Sequence, residues 1–113
     1  MNLLGGEAEQ LAAAFLQQQG LKLVTRNYQC RFGEIDLIMR DGKTLVFVEV
    51  RLRRNPNFGG AVMSITANKR QKLIRTAEHY LQQQGEALCR FDAILMDSTS
   101  PQGIEWIKNA FDA

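Results

Sequence analysis

The sequence predicts one α/β domain with its elements in the order α-β-β-β-α-β-β. Three observations predict it. Two stretches carry helical apolar spacing and end alike, in Gln17-Gln18-Gln19-Gly20 and Gln82-Gln83-Gln84-Gly85. Between them, two apolar runs flank Asp41-Gly42, a favoured hairpin turn. After the second helical stretch, two more strand-like runs surround Ser98-Thr99-Ser100-Pro101. A chain of 113 residues fits a single domain, 1–113, and buries roughly 65% of the surface that its unfolded form exposes.

Over residues 6–20, Ala8, Leu11, Ala12 and Phe15 recur at helical spacing, and Gly20 is a natural stop. Glu7 falls in the first turn, where the helix dipole favours an anion. Residues 21–28 hold a shorter strand around Leu23, Val24 and Tyr28. The strongest strands are 34–40 and 44–52. In the second of these, Val46, Val48 and Val50 point to one face and Leu45, Phe47, Glu49 and Arg51 to the other. The Pro and Gly of Asn55-Pro56-Asn57-Phe58-Gly59-Gly60 mark a loop. A helix over 66–84 follows, capped by Thr66 and stopped by Gly85, with Leu73, Ile74, Ala77, Tyr80 and Leu81 as its apolar positions. Strands over 89–96 and 103–107 complete the chain.

Apolar residues make up 45% and charged residues 23%, which excludes global disorder. The net charge of +2 is too small to argue nucleic-acid binding, but its distribution says more. Arg51, Arg53 and Arg54 cluster after the second strong strand, and Lys69, Arg70, Lys72 and Arg75 cluster on the second helix. Each set has the local density that tracks phosphates, with a plain solvated face as the equal alternative for either alone. Cys30 and Cys89 have no metal-ligand spacing, and Cys89 reads as core. His79, the only histidine, reads as surface or rim. Tyr28, Phe32, Phe58, Tyr80 and Trp106 read as core or loop anchors. No basic leader and no apolar run of about 20 residues is present, so the chain reads as cytoplasmic with no membrane span.

The sharpest feature is a carboxylate in each strong strand, within Gly33-Glu34-Ile35-Asp36 and Val48-Glu49-Val50-Arg51. Burying an ionised carboxylate costs several kcal/mol unless a cation meets it. With Asp41 and Gly42 as a two-residue turn, Arg40 pairs with Lys43 and Asp36 lies opposite Phe47. Asp36 is then diagonal to Glu49 on the same face, about 7–8 Å away at the backbone. A slip by one residue would put the two acids on opposite faces.

Two such acids suit a hard divalent cation, which prefers carboxylate and carbonyl oxygens. Asp36, Glu49 and the Val50 carbonyl are the expected ligands, with Glu7, or failing it Glu34, completing the shell. Arg51 projects beside Glu49, where it can neutralise charge developing on a phosphate. It cannot be a general base, because its pKa exceeds about 12. The alternative for Glu34 is an ion pair with Arg51 or Arg31.

Gly6-Glu7, Gly33-Glu34-Ile35-Asp36-Leu37, Phe47-Val48-Glu49-Val50-Arg51, Phe58-Gly59, Lys69 to Lys72, Arg90-Phe91-Asp92 and Asn109-Ala110-Phe111 occur in this order along nearly the whole chain. This pattern resembles the YraN-type family, a bacterial group similar to the PD-(D/E)XK nuclease superfamily and closest in it to archaeal-type Holliday-junction resolvases. The resemblance implies a restriction-endonuclease-like fold, a central mixed five-stranded sheet flanked by helices. It implies that Glu7, Asp36 and Glu49 are metal-linked acids and that Arg51 stands at the superfamily's lysine position. Ile35 stands where the superfamily's name has proline, a position that does no chemistry. Arginine in place of lysine bears on turnover rather than on metal or phosphate binding.

The functional expectation is an endonuclease using Mg2+ or Mn2+ to hydrolyse phosphodiester bonds in structured or branched DNA, with Asp36, Glu49 and Arg51 catalytic. Arg53, Arg54, Lys69, Arg70, Lys72 and Arg75 would hold the nucleic acid, and a homodimer would present two sites to two strands. The alternative is a nucleic-acid-binding accessory module of the same fold without turnover.

Overall fold

The computed structural model describes residues 5–53, 65–97 and 100–111. Its elements are α1 (Gly5–Gln18), β1 (Lys22–Cys30), β2 (Gly33–Asp41), β3 (Thr44–Arg53), α2 (Ala67–Gln84), β4 (Cys89–Asp97) and β5 (Ser100–Phe111). This is the expected order. The strands form one mixed sheet in the order β1-β2-β3-β4-β5. Only β3 and β4 run parallel, as they must when a helix carries the chain back between them. The other neighbours are antiparallel.

Each face of the sheet takes one helix. On α1, Ala8, Ala12, Ala13 and Leu16 are buried against Leu37, Met39, Val46, Val48, Ile94 and Met96. On α2, Leu73, Ala77 and Tyr80 are buried against Ile38, Leu45, Phe47, Phe91 and Ala93. The alternation of β3 is the expected one: its valines meet α1, while Leu45 and Phe47 meet α2 and Glu49 follows on that side. The start of α2 is fixed by Thr66, whose hydroxyl accepts the Lys69 N–H at 3.1 Å. Gly85 ends it at φ 96.

Two expectations about the strands need correction. The hairpin loop is Gly42-Lys43 rather than Asp41-Gly42: Asp41 pairs with Thr44 and Arg40 with Leu45. Gly42, at φ 61, sits at the first central position of a two-residue loop, where glycine costs least. The last strand is also longer than 103–107. Its register shifts where Phe91 pairs with Phe111 and Ala93 with Ile107, and Asn109 adopts φ 52. Asparagine tolerates that conformation. The shift seats a fully buried carboxylate, Asp92, which accepts from Arg90 Nε, Trp106 Nε1 at 2.9 Å and the Asn109 N–H at 3.0 Å. Asp92 is therefore a satisfied structural acid.

Cys89 is exposed rather than core, because it opens β4 at the sheet's end, and both cysteines are free thiols. Among the described residues, no helix is long and apolar enough to cross a membrane.

Candidate functional site

The β2–β3 ladder ends at Leu37 and Val48. A further step would pair Asp36 with Glu49, directly opposite rather than diagonal. Backbone pairing stops there, and Asp36 Oδ2 instead accepts the Val50 N–H at 2.9 Å. The opening is a cavity of about 550 Å³, lined from the sheet by Gly33, Glu34, Asp36, Glu49 and Val50. Glu9 lines it from α1, and Thr66, Asn68, Lys69, Lys72 and Leu73 line it from the start of α2.

Glu49 is only 6% exposed, so its charge needs a partner. Lys69 Nζ lies 2.7 Å from Glu49 Oε1, and Arg51 Nη1 lies 3.7 Å from the same oxygen. Among the described residues Asp36 has no such cation. Burial, then the neighbouring Glu49 charge, push its carboxyl up to about 7 against the opposing Val50 N–H bond, and Glu9 and Glu34 add to the rise. Near neutrality Asp36 is poised between its two forms.

Glu9 shares the apolar stripe of α1 with Ala12, Ala13 and Leu16, and its Oε1 is buried without a hydrogen-bond partner among the described residues. An orphaned buried oxygen is costly, and a cation beside it would remove that cost. Glu9, Asp36 and Glu49 offer oxygen donors alone, the set that hard divalent ions take. Among the described residues, no three acid, histidine or cysteine side chains stand close enough to hold a metal as they are placed. The Lys69 ammonium occupies the cationic position at Glu49, so an ion binding there must draw Lys69 aside.

A model of the uncharacterised protein family UPF0102 matches residues 8–96. The chain belongs to this family. A UPF0102 protein of Methylobacillus flagellatus is 60% identical over 113 residues, covering 100% of both chains. One of Nitrosomonas europaea is 62% identical over 109 residues, covering 96% of this chain and 92% of its own. One of Pseudomonas aeruginosa is 51% identical over 115 residues, at the same coverage. UPF0102 is the YraN-type group to which the motifs pointed.

In this UPF0102 chain Asp36, Glu49 and Val50 meet in one cavity with Lys69 and Lys72, and Arg51 touches Glu49 from beside it. Glu7 is exposed and does not line the cavity; the acid that α1 brings there is Glu9. Glu34 pairs with neither Arg51 nor Arg31 but accepts from Gln29 Nε2 at 3.2 Å. Arg70 is exposed outside the cavity, and Arg75 lines a separate hollow further along α2. Arg53 belongs to β3, but its side chain, with Arg54 and Phe58-Gly59, lies outside the described residues. Glu9 had a sequence signal: a carboxylate four residues before Ala13 and three before Ala12 sits on the helix's buried stripe.

Proposed function

We propose that this chain is an endonuclease dependent on Mg2+ or Mn2+ that hydrolyses phosphodiester bonds in structured or branched DNA. The observation that carries this reading is Asp36 beside Glu49 in a cavity whose opposite wall is Lys69 and Lys72. Likeness to the resolvase-like nucleases supports it. Glu9, Asp36 and Glu49, with the Val50 carbonyl, would hold the ion. When bound, a divalent ion supplies Lewis acidity to a phosphoryl oxygen and a water of lowered pKa.

The chain's own residues do the rest. Lys72 has no carboxylate partner among the described residues and is available to a phosphate oxygen. Lys69, drawn from Glu49, adds a second cation on the same wall. Arg51 stabilises negative charge growing on the phosphoryl group. Glu34, exposed on the cavity's lining, would take up the water's proton, or else the metal environment or the substrate would. A homodimer would bring two such cavities to the two strands of a junction.

A second reading, a nucleic-acid-binding accessory module without turnover, is favoured by the Lys69–Glu49 pair, which already neutralises the deepest acid. Cleavage of labelled single strands, duplexes, flaps and four-way junctions with Mn2+, Mg2+ or EDTA separates the two. Metal-dependent cutting that disappears in an Asp36→Ala, Glu49→Ala double variant supports the nuclease. Binding without cutting under every metal supports the accessory module.

A further inference from the structure

We propose that a second hollow, beside the carboxylate cavity, is a phosphate-binding subsite for the strand that cavity engages; this rests on nucleic acid being the substrate class. The hollow has a volume of about 300 Å³ and is lined by Arg31, Phe32, Arg75, Glu78, His79 and Gln82. Two guanidinium groups and an imidazole face one carboxylate there. Neither Arg31 nor Arg75 has an ion-pair partner among the described residues, so both charges are free for a ligand.

Two of these groups are held in place. The Arg31 guanidinium lies 4.9 Å over the Phe32 ring. His79 Nδ1 lies 2.6 Å from the Tyr28 hydroxyl, and the Phe32 ring packs edge-on against the imidazole. Where the Tyr28 phenol donates to Nδ1, Nε2 carries the ring proton and is a donor for an anion. Arginine adds the forked geometry that grips two phosphate oxygens at once. Side chains fixed beforehand lose less entropy when the ligand arrives.

The hollow also continues the first cavity. Gly33 and Glu34 line one and Arg31 and Phe32 the other, so both open on the β1–β2 turn. On α2, Lys69 and Lys72 line the first, and Arg75 and His79 the second. Between them the turn lies close on the helix: a Cβ at Gly33 would stand 3.3 Å from Thr76 Oγ1. From Lys72 to His79 the helix rises roughly 10 Å. At about 3.4 Å of rise per nucleotide, a helical strand running along α2 would pass about three nucleotides between Lys72 and His79.

The test is binding of a short fluorescein-labelled DNA strand and its duplex in EDTA across a salt series, so that no cutting enters the reading. Arg31→Ala should weaken binding about tenfold and flatten the slope of log affinity against log salt by about 1. Arg31→Lys should keep the slope and recover part of the affinity, and His79→Ala should weaken binding with the slope nearly kept. Melting curves matching wild type show that the exposed Arg31 is not needed for folding. Arg31→Ala binding with wild-type affinity and slope overturns the subsite, even if metal-dependent cutting is intact. Loss of binding in Arg31→Ala by a protein that never cuts supports the subsite while the nuclease reading fails. A wild type that binds neither probe overturns both.

Discussion

The ammonium of Lys69, in the first turn of α2, stands 2.7 Å from a carboxylate oxygen of Glu49, the sixth residue of β3. The pair joins the helix to the most deeply buried acid of the cavity, at the position proposed for the metal. Removing the lysine leaves Glu49, among the described residues, only Arg51, at 3.7 Å. Lys69→Ala should therefore destabilise the protein by about 1–3 kcal/mol, less than a fully buried pair because Lys69 is partly exposed. Mn2+ should raise the melting temperature of this variant more than that of wild type. Equal shifts in calorimetry would show that the ion does not replace the ammonium.

Asp36 sets a pH dependence. Its value of about 7 lies above the ordinary 3.8, so the folded protein holds an extra proton between those limits. Without metal, this group's contribution to stability is fully present below about pH 4 and is lost as pH rises through about 7. A divalent ion needs the ionised form, so its affinity should climb by about tenfold per pH unit and level off above about 7. Calorimetric titration with Mn2+ across that window checks this, and Asp36→Asn should abolish the climb.

Glu9 and Glu7 separate cleanly. Glu9→Ala removes an orphaned oxygen, so the metal-free protein should gain about 1 kcal/mol in chemical denaturation while losing its response to Mn2+. Glu7→Ala, on an exposed first turn, should stay within about 0.5 kcal/mol of wild type and keep that response.

Asp92 should behave as structure, not chemistry. Asp92→Ala leaves Arg90 Nε, the Trp106 indole N–H and the Asn109 N–H without their acceptor, while Arg90 keeps Asp41, and should cost about 3–5 kcal/mol. Urea unfolding measures it. Asp92→Asn keeps the shape and part of the bonding and should cost less.

Much of this was legible in the sequence because strand alternation is forgiving in one respect. The hairpin loop moves from Asp41-Gly42 to Gly42-Lys43, which shifts the pairing by two residues, and an even shift leaves Asp36 and Glu49 on one face. In the register of the ladder, continued past Leu37 and Val48, the shift replaces a diagonal relation with a direct one. Lys69 at Glu49 was not legible, since it depends on how α2 lies across the sheet. The length of β5 was hidden by Asn109, whose left-handed backbone breaks the alternation in order to serve Asp92. Strand alternation put the acids of β2 and β3 on one face, whereas the resemblance pointed on α1 to Glu7, two residues from the Glu9 that lines the cavity.

Lys69 serves two masters. Its backbone N–H closes the Thr66 cap, and its side chain grips Glu49. Winding the first turn of α2 and charging the cavity wall are thus a single event. A hydroxyl lost at Thr66 would be felt by a carboxylate it never touches, because a frayed first turn withdraws the ammonium with it. Amide exchange at the start of α2 then becomes a remote gauge of whether the cavity is closed on its own lysine or open to an incoming cation.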